Sequence, residues 1–130
     1  SLATIPNFQF AEMAVINYSE TTNRRLEMII GLEYGSTSEQ LTKIKKEIEN
    51  YIETNQDFNI SEKTPVSVKL NDFAGSSIDI NIICYTKTRN FYEWKAVKDR
   101  FMIAIKKIVE DADASFAFPS QSIYVEKLNK

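Results

Sequence analysis

From Arg24 the chain alternates. Leu26, Met28, Ile30, Leu32 and Tyr34 are apolar, and Glu27, Ile29, Gly31 and Glu33 stand between them. A period of two predicts a strand with one apolar face. Gly35 ends the run, and Ser36 with Glu39 three residues later has the form of a capping box. Leu41, Ile44, Ile48, Tyr51 and Ile52 then recur at helical spacing, with Lys43, Lys45, Lys46, Glu47, Glu49 and Asn50 opposite them. This predicts an amphipathic helix of about four turns that ends near Asn55. Asn55 to Thr64 reads as a polar loop. Val66, Val68 and Leu70 alternate with polar residues, Ala74-Gly75-Ser76 turns, and Ile78, Ile80, Ile82 and Cys84 alternate again. Two such runs around a Gly-containing turn predict a hairpin. Asn90 and Glu93 form a second capping box, before a helix over 91–111 with the stripe Trp94, Val97, Phe101, Ala104, Ile105 and Ile108. Phe118-Pro119 stops the chain, and Ile123, Val125 and Leu128 predict a last short strand.

The order is strand, helix, strand, strand, helix, strand. It is that of a ferredoxin-like α+β fold, a βαββαβ sheet with two helices on one face. The other face carries Glu27, Glu33, Ser67, Lys69, Asp79 and Asn81, so it is expected to be solvated, as one side of an antiparallel sheet can be. Fully burying Leu41, Ile48, Phe101 or Ile105 would contribute roughly 1.5–3 kcal/mol each. The 130 residues, 43% apolar with only six Gly and Pro, suit one folded domain. No apolar run nears the ~20 residues that span a bilayer. The chain begins at Ser1 without a signal peptide, and it reads as a fragment of something longer.

Charge and chemistry narrow the function. Sixteen basic and eighteen acidic residues leave −2, which argues against a whole-surface grip on nucleic acid. Histidine is absent, which excludes imidazole bases and His metal ligands. Cys84 stands alone among core residues and reads as a buried, inert thiol. Glu110, Asp111, Asp113 and Ser115 crowd together, but Phe116 and Ser122 stand where a calcium loop needs Gly and Glu. The three glycines are far apart, so no phosphate loop exists, and no carboxylate pair sits in a recognisable catalytic spacing. The sequons at Asn17 and Asn59 matter only in a secreted protein. Residues 87–107 hold seven basic and two acidic side chains among Phe91, Tyr92 and Trp94. An RNA-binding sheet would stack bases on central-strand aromatics, and here those positions are mostly carboxylates and aliphatics. No enzyme activity, cofactor, metal or nucleic-acid partner is expected.

Six pieces in order carry a family resemblance. They are Ile5-Pro6-Asn7, Asn17-Tyr18-Ser19, Arg24-Arg25, Ile29-Ile30-Gly31-Leu32-Glu33-Tyr34, Asn71-Asp72-Phe73-Ala74-Gly75-Ser76-Ser77-Ile78 and Phe118-Pro119-Ser120-Gln121. Together they resemble the cytoplasmic part of small-conductance mechanosensitive channels, the MscS family. The resemblance implies a homo-heptamer in the bacterial inner membrane or an organelle membrane. Its copies would enclose a cytoplasmic vestibule with side portals, in a channel that opens under membrane tension and releases solutes on osmotic downshock. It divides the chain into the tail of a small β domain (1–23), an α/β vestibule domain (24–119) and a C-terminal strand and tail (120–130).

On that basis the partners expected are further copies of the chain, and the permeating ions and small solutes. The expected location is the cytoplasmic side of the inner membrane, within an integral membrane protein. Ile123, Tyr124 and Val125, a strand with few neighbours of its own, are expected at a subunit interface. So are Ile29 and Ile83, apolar on an otherwise polar face. Asn17, Arg24 and Arg25 are expected nearest the portals. A ferredoxin-like regulatory module that binds a small molecule at the 55–64 loop is the alternative.

Overall fold

A computed structural model describes residues 23–118. The described elements are β1 (Arg24–Leu32), α1 (Ser38–Glu53), β2 (Ser67–Phe73), β3 (Ile78–Thr86) and α2 (Phe91–Asp111). The sheet order is β1-β3-β2, and both pairings are antiparallel. β3 is therefore central, and β1 and β2 run parallel to one another on either side of it. This is the split β-α-β arrangement expected from the element order.

The period-two pattern decides the faces. On β3, Ile78, Ile80, Ile82, Cys84 and Thr86 are buried, and every residue between them is only partly so. Leu26 and Leu32 bury the same side of β1. Against that side pack Leu41, Ile44, Ile48 and Ile52 of α1, and Val97, Phe101, Ile105 and Val109 of α2. Phe101 stacks on Tyr51 at 5.5 Å and meets Phe58 edge-on at 5.3 Å. Such aromatic pairs add about 0.5–1.5 kcal/mol beyond the area they bury. Both helices thus cover one face, as the patterning predicts.

Several local readings shift. The N-cap of α1 is Thr37, not Ser36, and its box partner is Gln40, not Glu39. Thr37 Oγ1 accepts from the Gln40 N–H at 3.1 Å, and Gln40 Oε1 accepts from the Thr37 N–H at 2.8 Å. The cause lies one turn upstream, where the Ser36 N–H bonds the Glu33 carbonyl and leaves Thr37 as the residue that caps the helix. α1 ends at Glu53 with Thr54 as its C-cap, close to the expected end near Asn55. Asn90 does cap α2, accepting from the Glu93 N–H at 3.0 Å. The box is only half made, because the Glu93 carboxylate accepts from Thr88 Oγ1 at 2.5 Å instead.

In β2 only Val68 is buried, and Leu70 is 41% exposed. β2 is the outer strand, and a bulge between Leu70 and Asp72 breaks its register. Tyr34 lies beyond β1, and its hydroxyl donates to the Ala74 carbonyl in the hairpin turn. Beside β1, on the edge away from β3, Phe116 bridges Leu32. The Glu33 N–H bonds the Ser115 carbonyl and the Ala117 N–H bonds the Gly31 carbonyl, both at 3.0 Å. This is the fourth-strand position of the fold, reached earlier in the chain than expected. The strand expected at Ile123–Leu128 lies outside the described residues.

Candidate functional site

Among the described residues, the face of the sheet away from the helices is open. Along β1 it presents Arg25, Glu27, Ile29 and Gly31, in register with Tyr85, Ile83, Asn81 and Asp79 of β3. Asn81 Nδ2 donates to Glu27 Oε2 at 2.9 Å, and Arg25 Nη2 pairs with Glu27 Oε1 at 2.9 Å. The Asn81 hydrogen bond first, and the Arg25 charge after it, hold the Glu27 carboxyl below its usual range. Ile29 is 54% exposed, and it and Ile83 flank this polar knot. At Gly31 a Cβ would stand 3.1 Å from Ser77 Cβ and 3.3 Å from Asp79 Oδ1. The missing side chain lets the Ser77–Asp79 hydrogen bond, 2.6 Å long, close over β1. A groove of about 420 Å³ remains there, between Ile29, Ser76 and Phe118.

The two arginines expected together separate. Arg25 lies on the open face, whereas Arg24 lies on the helix side opposite Thr86. The Arg24 guanidinium sits 5.1 Å from the Phe91 ring centroid and 5.3 Å from that of Trp94. Trp94 Nε1 also donates to the Arg25 carbonyl at 3.1 Å, so α2 is pinned to the start of β1. Sequence reading placed the aromatics of 91–94 within a basic stretch but did not connect them to Arg24. The connection spans some seventy residues, and only the sheet's pairing makes it.

The remaining candidates read as structure. Cys84 is fully buried, and burial pushes its thiol up to about 12. In the 55–64 loop, Asn59 Nδ2 donates to Thr64 Oγ1 at 3.1 Å, and the Ser61 and Thr64 hydroxyls bond each other at 2.8 Å. The Asn59 N–H bonds the Tyr85 carbonyl and the Lys87 N–H the Asp57 carbonyl, which tie the loop to the end of β3. Its polar groups are thus turned on one another. Among the described residues no group of three or more Cys, Asp or Glu is placed to hold a metal, and no helix is long and apolar enough to cross a membrane. Asn17, Ile123, Tyr124 and Val125 lie outside the described residues.

Known proteins agree with this layout. The family described as mechanosensitive ion channel MscS, C-terminal, matches residues 26–116, from the third residue of β1 to the bridge at Phe116. The low conductance mechanosensitive channel YnaI of Escherichia coli is 34% identical over 95% of this chain, which covers 35% of YnaI. The crystal structure of Helicobacter pylori MscS in its closed state superposes with a TM-score of 0.60 at 26% identity, over 79% of this chain and 38% of that one. Arabidopsis thaliana MSL1 A320V reaches 0.69 at 17% identity, over 80% of this chain and 38% of that one, a likeness of fold. The chain spans 25–35% of curated relatives that it matches. It belongs to the MscS family of mechanosensitive ion channels, and residues 26–116 form that family's C-terminal domain.

Proposed function

We propose that this domain is a wall of the cytoplasmic vestibule of a mechanosensitive channel. The parent opens under membrane tension and releases ions and small solutes on osmotic downshock. The domain conducts nothing and catalyses nothing by itself, and it neither spans the membrane nor senses tension. It holds copies of the chain together as a homo-heptamer on the cytoplasmic side of the inner membrane. Ile29 and Ile83, with Ile123, Tyr124 and Val125, form subunit contacts, and Asn17, Arg24 and Arg25 lie nearest the portals. The observation that carries the reading is the family match across the whole α/β layer, residues 26–116.

The test uses the full-length protein that contains this chain, in membrane patches under suction. Currents that switch on with suction and are absent from patches lacking the protein are expected. A full-length protein that reaches the membrane and gives no suction-activated current refutes the reading.

A further inference from the structure

A polar hollow lies between the start of the 55–64 loop, the segment after β3 and the first turns of α2. Its volume is about 280 Å³, and Asp57, Lys87, Thr88, Glu93, Ala96 and Arg100 line it. Three contacts fix its walls. The Lys87 N–H bonds the Asp57 carbonyl at 2.9 Å and joins the loop to the end of β3. Arg100 Nη2 and Nε reach Asp57 Oδ2 at 2.9 and 3.3 Å and join the loop to α2. Thr88 Oγ1 donates to Glu93 Oε1 at 2.5 Å and joins the segment after β3 to α2. Ala96 and the buried Val97 give the hollow one apolar side.

The charges in the hollow balance. Asp57 and Glu93 bring two carboxylates, and Lys87 and Arg100 bring two cations. Asp57 is held through Oδ2 and Glu93 through Oε1, so the other oxygen of each carboxylate can accept from a ligand. Among the described residues the Lys87 ammonium pairs with no carboxylate. An anion alone would meet two carboxylates here, and a cation alone would meet two cations, so a single charge of either sign is opposed. A molecule that carries both charges satisfies both pairs. Farther along the loop Asn59, Ser61 and Thr64 bond one another, so the open chemistry is confined to its start. A second hollow of about 410 Å³ adjoins the first, sharing Gln56 and Lys87 and reaching Ile60. Pockets for drug-sized ligands run from about 300 to 1,000 Å³, so the first hollow suits a compact solute.

We infer that this hollow binds the zwitterion of a free α-amino acid with a short side chain. The ligand carboxylate accepts from Lys87 Nζ. The ligand ammonium donates to Glu93 Oε2 and Asp57 Oδ1, and Arg100 holds the Asp57 carboxylate in place for it. The side chain lies against Ala96 and Val97. Hydrogen bonds between charged partners are the strong ones, and they also set the ligand's direction in the site. The site is shallow and the ligand has few atoms, so the dissociation constant is expected on the order of 1 mM. The inference stands apart from the channel reading, because it depends only on groups of this chain, and it gives the domain a ligand of its own.

The experiment titrates the 130-residue chain with L-alanine and follows its backbone amide NMR shifts. Salt at ~0.15 M, with a Debye length of ~8 Å, screens diffuse ion association. Saturable shifts at Gln56, Lys87, Thr88 and Glu93 are expected. Acetate and ethylamine each carry one of the two charges, and glycine betaine has no ammonium N–H to donate. All three are expected to bind about tenfold more weakly or worse. Lys87→Gln and Glu93→Gln are each expected to weaken alanine binding about fivefold or more. Ala96→Leu keeps a good helix former, fills the hollow and is expected to abolish binding. Lys106→Gln, farther along α2 beside Glu110, leaves binding unchanged. No saturable shift with alanine overturns the inference. So does equal binding of acetate or ethylamine, which is ion association alone. So does native affinity in the Lys87, Glu93 and Ala96 variants while they keep the native urea midpoint. Any of these failures leaves the channel reading standing, and a full-length protein without suction-activated current leaves the alanine titration to be judged by itself.

Discussion

Cys84 sits on β3 between Ile83 and Tyr85, with none of its surface exposed. Burial disfavours the thiolate and raises the thiol from 9.0 to about 12. The folded protein therefore keeps a proton that the unfolded chain releases once the pH passes 9. Stability from this group is complete below pH 9 and is lost as the pH rises toward 12. At 1.36 kcal/mol per pH unit, the full loss is roughly 4 kcal/mol. Tyr51 shifts upward too, chiefly through burial, and so adds to alkaline destabilisation. Cys84→Val keeps an apolar side chain of similar size in a strand and removes only the thiol's share. Urea unfolding at pH 8 and at pH 11 should show the Val variant losing about 2 to 3 kcal/mol less than the native chain. Equal losses in the two proteins would mean that the thiol ionises without opening the core.

At the scale of elements, α1 offers a choice between two adjacent hydroxyls. Thr37 makes both halves of a capping box. Ser36 Oγ is buried with no hydrogen-bond partner. Thr37→Ala should cost about 1 kcal/mol in urea unfolding. Ser36→Ala should cost nothing or stabilise, because it removes an unsatisfied buried group. The reverse ranking would make Ser36 the working cap. The local sequence Ser36-Thr37-Ser38 does not distinguish these positions, and the turn closed onto Glu33 does. β3 and α2 were legible for the opposite reason. Their patterns are strict, and Asn90 marks the helix start without a competitor. The bridge at Phe116 was not legible, since Ser115-Phe116-Ala117 has no strand pattern and pairs only because α2 returns it to the edge of β1. Alternation gives a strand's faces but not its place in the sheet, and Leu70, on the outer strand, stays 41% exposed. Among site residues, Arg24 and Arg25 were expected together, and the pairing of β1 with β3 puts them on opposite faces. The ring contacts that distinguish their charges are tertiary and leave no trace in local spacing.

Among the described residues the sheet has one covered face and one open face, and the open face is where the proposed assembly can be tested. A solvated antiparallel face needs no aliphatic side chains, yet Ile29 and Ile83 stand on either side of the Glu27–Asn81 hydrogen bond. Neither belongs to the buried cluster that the helices cover, so the fold does not depend on them. In a ring, each copy would meet its neighbour through two different surfaces, and apolar positions beside satisfied polar groups suit such a contact. Lysine at both positions tests this with little risk to the fold. The Ile83 site lies opposite Glu27 and the Ile29 site opposite Asn81, so each new cation has a polar neighbour. In the 130-residue chain, Ile29→Lys/Ile83→Lys should change unfolding stability by no more than about 1 kcal/mol. In the full-length protein extracted into detergent, the same pair should lower the assembled mass measured by light scattering, because burying unpaired charge at a contact is costly. An assembly of native mass with both lysines present would remove these two residues from the subunit interface and leave the contact to other surfaces of the domain.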